Sequence, residues 1–375
     1  MSITEIEAKS ILRKQKKIDS WFVSRYGMNL YRGCTHNCVY CDGRAESYYV
    51  GGEFGKDLEV KLNAIDILKR ELNPERKRKP FGSGFIFMGG GVTDAYQAVE
   101  EKYNITRDAL KLIEEFHHPV HVLTKSTMVK RDLDIIKSID KHSKAVVSMS
   151  FSSVDESLSS IFEPGVPKPA EKMKVLKQFK SHGISCGMYL LPIIPFITDT
   201  PDLIEQAVSA AKDAGLDFIA FGGMTLREGR QKDHFYDTLT EYYPDLLVEY
   251  DIAYPPSKWG GSSSDYHNSL HSTVHEITRY YKMPVRMPDK IYRHILTQND
   301  LVVVLLEQID YLMKLRAYKS NYGYAAYKIS QLSEPVSKYR YNLTSIEGIG
   351  KVTAKLVAEI IDTGRSEMYE KLLYT

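Results

Sequence analysis

The chain is poor in cysteine, with four in 375 residues, and poorer in tryptophan, with two. Four cysteines over such a length rule out a disulfide framework. An excess of charge of either sign is also missing: 50 Lys and Arg face 48 Asp and Glu, a net of +2. A balance that even does not by itself point to a polyanionic partner. No stretch approaches the roughly 18 apolar residues of a membrane span. The opening seventeen residues are charged and lack an apolar segment, so no signal peptide is read there. Together these absences predict a protein of the reducing cytoplasm with no membrane partner. Low-complexity segments are absent as well. Two basic runs, at 13–17 and 76–79, are short enough to read as solvated faces or loops rather than phosphate contacts.

What is present is 43% hydrophobic residues, enough for a large core. Short apolar runs at 28–33, 84–88, 120–124, 145–151, 184–190 and 218–221 read as buried strands. Between them lie amphipathic stretches with apolar residues every three or four positions, predicting helices over 57–72, 106–116, 132–138, 170–182 and 203–214. Thr106 and Asp202 read as N-caps, and Gly183 and Gly215 as C-terminal stops. Six strand–helix units predict an α/β fold, a partial (β/α)6 TIM-type barrel with a C-terminal helical region. Chemistry in such barrels gathers at the C-terminal ends of the strands. The expected organisation is a helical extension at 1–25, the barrel at 26–232, a mostly helical region at 233–338 and a last unit at 339–375.

Three of the four cysteines fall within eight residues. Cys34-Thr35-His36-Asn37-Cys38-Val39-Tyr40-Cys41 follows the first strand with C-x3-C-x2-C spacing. Such a loop can wrap three thiolates around one corner of an iron–sulfur cubane, leaving one iron of four open. A structural zinc would need a fourth ligand, for which Cys186 or His36 is available.

This loop, with Tyr40 before the last cysteine, resembles the signature of the radical S-adenosylmethionine (SAM) superfamily. The resemblance implies a 4Fe–4S cluster on Cys34, Cys38 and Cys41, SAM on the open iron, and a 5′-deoxyadenosyl radical that takes hydrogen from substrate. An electron donor such as flavodoxin or ferredoxin is implied with it. Gly89, Gly90 and Gly91 resemble the glycine-rich element that meets the SAM amino group, where glycine permits close backbone approach. Tyr40 is implied as an adenine neighbour, and Ser148 and Ser150 as candidates for the SAM ribose or carboxylate, against buried hydroxyls satisfied by the fold.

A longer series is similar to the spore photoproduct lyase-like family. It runs Thr93-Asp94-Ala95-Tyr96-Gln97, Glu100, Thr106-Arg107, Thr124-Lys125-Ser126, Arg131-Asp132-Leu133-Asp134, Glu163-Pro164-Gly165 and Pro192-Ile193-Ile194-Pro195. The likeness covers about 29–230 and implies Lys125 as partner of the SAM carboxylate. Asp94, Tyr96, Arg131 and Glu163 are candidates for a substrate mouth, and equally for ion pairs and caps that fix loops. The family's named member repairs a thymine dimer in spore DNA, with a cysteine near the second strand as hydrogen donor. Here that strand reads Phe85-Ile86-Phe87-Met88, and no cysteine stands between Cys41 and Cys186. Cys186 is the remaining candidate donor, against the role of a small core residue.

Near the C-terminus, 343–359 resembles a helix–hairpin–helix, with Gly348-Ile349-Gly350 as the turn and Lys351 and Lys355 on the second helix. The likeness implies backbone amides and a helix N-terminus on nucleic-acid phosphates. Its apolar positions include Ile349, Val352, Leu356 and Val357. His267, His271 and His275 share one face if 265–280 is helical, and read as a polar stripe or substrate rim rather than a zinc site. The expected function is a radical SAM enzyme acting on nucleic acid, by lesion repair or base modification. Two alternatives stand: radical chemistry on a peptide or small molecule, and a nucleic-acid-binding protein with a structural or redox-sensing cluster.

Overall fold

The computed structural model describes residues 2–48, 52–75, 81–90 and 92–374. The basic run at 76–79 and Gly91 lie outside the described residues. Among the described residues ten strands run in order: β1 Ser2–Ile6, β2 Leu12–Asp19, β3 Ser24–Met28, β4 Tyr31–Arg32, β5 Asp57–Lys61, β6 Phe85–Met88, β7 Val120–Thr124, β8 Ala145–Phe151, β9 Ser185–Ile193 and β10 Phe218–Gly223. Seven form one sheet in the order β10-β9-β8-β7-β6-β3-β2. From β3 to β10 neighbours are parallel, and β2 closes the edge as the antiparallel arm of a hairpin. Parallel strands joined through helices curl into a half-barrel.

The first 25 residues are not a helical extension. They hold β1, β2 and the start of β3. The lysines of β2 explain why the segment does not read as a strand. Only Ile18 is fully buried along it, and exposed Lys and Arg side chains blunt the free sheet edge against further pairing. The helix expected over 57–72 is likewise divided. Residues Asp57–Lys61 form β5, paired with β1 and β4, and only Ala64–Leu72 is helical.

The other barrel helices fall at Ile105–Glu115, Leu133–His142, Pro169–Ser181 and Pro201–Asp213. Their caps differ from expectation. Thr200, not Asp202, takes the amide of Leu203, and Thr106 sits in the first turn with its hydroxyl on the carbonyl of Ala95. Gly183 and Gly215 follow their helices at φ +81° and +67°. Beyond the barrel come helices Arg230–Tyr242, Leu247–Ala253, Ser264–Tyr280, Gln298–Leu315, Tyr322–Ser330, Lys351–Thr363 and Glu367–Tyr374. Helix Gln298–Leu315 is buried nearly all round and anchors this layer. No described helix is long and apolar enough to cross a membrane.

Candidate radical SAM site

Side-chain parity sets what each strand offers the barrel interior. On β8, Ser148 and Ser150 point inward; their partners on β9, Gly187 and Tyr189, share that face. On β7, His121 does the same, packed against Phe22, Phe87 and Tyr189. The turn between β2 and β3 brings Phe22 into this floor, stacked on Phe87 at 4.0 Å. The aromatic floor leaves a cavity of about 390 Å³ at the C-terminal ends of the strands. Cys34, Cys38 and Cys41 line it, with Tyr40, Gly90, Asp94, Lys125 and Ser150.

The cysteine loop is braced from outside. Gly165 donates its amide to the carbonyl of His36 at 3.1 Å, and Val39 donates to Phe162 at 2.9 Å. A Cβ on Gly165 would lie 2.7 Å from two loop carbonyls, so the approach requires glycine. His36 reaches the carbonyl of Gly165 through Nδ1 at 3.0 Å. Its Nε2 stands 3.2 Å from Asp94, near enough for an ion pair though not aligned as a hydrogen bond. Arg44 bonds the carbonyl of Cys38 and the side chain of Asn37 from beneath. Burial pushes all three thiols up, Cys38 to about 12, and the amide of Gly43 reaches Cys41 Sγ at 3.4 Å. Buried thiols become ligands only where a metal's charge offsets that cost.

These residues fit an iron–sulfur cluster and SAM. Gly90 lines the cavity, and because a Cβ there would lie 2.9 Å from Thr93 the position requires bare backbone. Lys125 donates to Ser150 at 3.0 Å and to Glu163 at 2.8 Å, leaving one of its three protons for a ligand. A closed zinc site does not fit. His36 is committed to Gly165 and Asp94, and among the described residues no three His, Cys, Asp or Glu side chains draw together around one ion. A cubane instead asks each thiol to meet a different iron.

Several expected site residues lie elsewhere. Ser148 does not face the cavity; its hydroxyl is 2.9 Å from Nε2 of His121, in the floor. Cys186 pairs with Val147 on the opposite face of the sheet, toward the helices, and at the N-terminal end of β9. Its thiol contacts the carbonyl of Ile184, so it is placed as a core residue and not as a donor to the chamber. Glu163 is fully buried behind Lys125, held also by Tyr40 and Lys172. Asp94 faces the cavity while accepting from Tyr96, Thr124 and Lys125 amide or hydroxyl groups at 2.7–2.8 Å. Its carboxyl is held at about 2: burial would raise it, but His36 and these donors prevail. Arg131 is tied to Glu100 and Asp132. Tyr96 and Arg131 border a separate hollow outside the cysteine loop.

Residues that carried no sequence signal also line the cavity. Phe22 arrives from a hairpin turn, and Met224 and Thr225 from just beyond β10. Only chain reversal and register bring them there. The hairpin at Gly348 (φ +82°) and Gly350 leads into helix Lys351–Thr363, but its first arm is a single turn, Leu343–Ser345. Val352 is exposed rather than packed. The stripe His267, His271 and His275 lies on helix Ser264–Tyr280 and lines a second cavity.

A family model described as the Radical SAM superfamily matches residues 28–207. An uncharacterised protein of Mycobacterium tuberculosis is 28% identical over 263 residues, covering 68% of this chain and 75% of that protein. One of Methanocaldococcus jannaschii is 30% identical over 223 residues, covering 59% and 78%. Among solved structures, a spore photoproduct lyase mutant superposes with TM-score 0.56 at 15% identity, covering 74% of this chain and 79% of that one. Another mutant of that lyase, with AdoMet and dinucleoside spore photoproduct bound, gives 0.53 at 17% identity over 72% and 78%. This likeness establishes a shared fold.

Proposed function

Because the chain belongs to the radical SAM superfamily, and is therefore a radical SAM enzyme, we propose that it holds a 4Fe–4S cluster on Cys34, Cys38 and Cys41 and acts on nucleic acid, by lesion repair or base modification. One observation carries the cofactor part: three thiols, the backbone at Gly90 and the ammonium of Lys125 share one cavity at the strand ends. When bound, the cluster supplies the electron that cleaves SAM and starts hydrogen abstraction from substrate.

The chain's own residues supply placement. Lys125 offers a charge-assisted hydrogen bond to a carboxylate, and Glu163 keeps that ammonium protonated and aimed. Ser150, anchored on the carbonyl of Leu191 at 2.9 Å, sets the height of the lysine. Phe22, Phe87 and Leu123 make the cavity wall apolar, which excludes water from reactive species. With Cys186 turned away, product hydrogen must come from SAM-derived 5′-deoxyadenosine, from another side chain or from solvent.

The nucleic-acid part rests on the hairpin at Gly348–Gly350 and on the shared fold with a lyase solved with a dinucleoside lesion. Anaerobic reconstitution followed by SAM and reductant tests the first part: 5′-deoxyadenosine is expected, and its absence from fully reconstituted protein would refute radical chemistry. Binding to DNA and RNA, with and without Lys351→Ala and Lys355→Ala, tests the second. Weaker binding by the pair is expected; unchanged binding removes the hairpin from the reading.

A further inference from the structure

Beside the radical SAM cavity lies a larger groove of about 1340 Å³. Gly223, at the end of β10, lines both, and the adjacent residues Trp21 and Phe22 face one each. Helix Ser264–Tyr280 forms one wall with His267, His271, His275 and Arg279, each four residues after the last and so on one face. The facing wall carries Lys314 and Arg316. Lys371 comes from the final helix.

Its charge is one-sided. Arg279, Lys314 and Arg316 carry the argument as permanent cations lining the groove, and no described lining residue is acidic, in a chain whose whole net charge is +2. Asp310 pairs with Lys314 at 2.6 Å, but from beneath and largely buried. Arg316 spends its donors on the carbonyls of Leu312 and Leu372, which leaves its charge unneutralised. Arg286 adds another cation below, stacked 3.4 Å from the ring of Tyr311 and 4.1 Å from Trp21. The imidazoles are lowered first by burial and only then by these charges: His271 to about 4, with His267 and Arg286 adding to burial, and His275 with Arg316 and Arg279 adding to it. Like charges crowded around a cavity are costly unless a ligand of opposite sign offsets them.

We propose that this groove binds the phosphodiester backbone of the substrate strand, laying it beside the radical chamber so that a base can enter past Gly223. The inference rests on the nucleic-acid reading above and gives it a location that the C-terminal hairpin does not. Exposed Tyr318 at the groove rim offers a ring on which a base can stack.

The test is fluorescence anisotropy of a labelled single-stranded oligonucleotide against the full-length reconstituted protein, over a salt series. The variants are the double substitution Arg279→Gln with Lys314→Gln and, separately, Lys351→Ala with Lys355→Ala. Counterion release from single strands weakens binding by a salt slope of about 0.7 per phosphate contact. Two lost contacts should therefore cost roughly 25-fold at about 0.1 M salt, the loss shrinking toward about 1 M. An unchanged thermal midpoint confirms that the exposed double variant is folded. If it binds as the parent does, with the same salt slope, the groove is not the strand's seat although the nucleic-acid reading survives. If the parent binds neither DNA nor RNA, the reading itself falls and takes the groove with it.

Discussion

The ammonium of Lys125 stands 2.8 Å from Oε1 of Glu163, and the two are joined on the far side of the carboxylate by Lys172 at 3.2 Å. One buried carboxylate thus serves two lysines: Lys172, fully buried, and Lys125, partly buried and facing the cavity. Burial alone would raise the Glu163 carboxyl, but Lys125 and Lys172 together hold it well below the usual carboxylate range. Lys172 is lowered, by burial first, while Lys125 is raised against burial by Glu163. The charge of the cavity lysine is therefore set by a residue that does not itself line the cavity.

Glu163→Gln leaves the fully buried ammonium of Lys172, and the cavity-facing one of Lys125, without their shared carboxylate. Removing one partner of a buried pair costs about 3–5 kcal/mol, so urea unfolding of the apo-protein should show a loss of that size. A loss under about 1 kcal/mol would mean that the pair behaves as an exposed one.

Lys125→Met should retain the cluster and weaken SAM binding by roughly ten- to hundredfold, the worth of one hydrogen bond to a charged group. Equilibrium binding of SAM to reconstituted protein measures it. Unaltered affinity would place the SAM carboxylate elsewhere.

The cysteines should divide three to one. Alanine at Cys34, Cys38 or Cys41 should abolish the cluster's visible absorption and 5′-deoxyadenosine formation. Cys186→Ala, in the helix-facing layer, should leave both intact and cost about 1 kcal/mol in stability. Loss of product formation with SAM cleavage retained in that variant would reinstate Cys186 as a donor.

His121 gives a pH dependence. Burial lowers it from 6.5 to about 4, and it is enclosed by aromatic rings and Ser148. Its folded value lies below the unfolded one, so the unfolded chain binds the extra proton between them. Stability from this residue is full above about pH 6.5 and declines as pH falls to about 4, by roughly 3 kcal/mol in all. His121→Gln should flatten the difference between urea midpoints at about pH 7 and about pH 4.5 relative to the parent. An identical decline in both proteins would refute the assignment.

Much of the barrel was legible because its signals are local. Five of the six inner strands begin within a residue or so of their apolar runs, since a strand buried on both faces must be apolar along its length. The first is displaced: the run at 28–33 straddles the end of β3 and the short β4. The edge was illegible for the converse reason. Strand β2 has water on one side, so it carries lysines that look like a charged helix, and only pairing with β3 declares it. Strand β5 depends on β1, more than fifty residues earlier, for its partner.

In the site, the spacing of Cys34, Cys38 and Cys41 by itself determined that three thiols share one place, because eight residues of loop hold them together whatever surrounds them. Lys125 and Gly90 were also placed by their position at strand ends. The tertiary structure alone decided the rest. It turned Cys186 outward, dropped Ser148 to the floor beside His121, and aligned the histidine stripe with Arg279 across from Lys314 and Arg316. Those outcomes depend on strand parity, depth and the docking of distant helices. A one-residue change in parity moves a side chain to the other face of a sheet, and an amphipathic face carries no label for its neighbour.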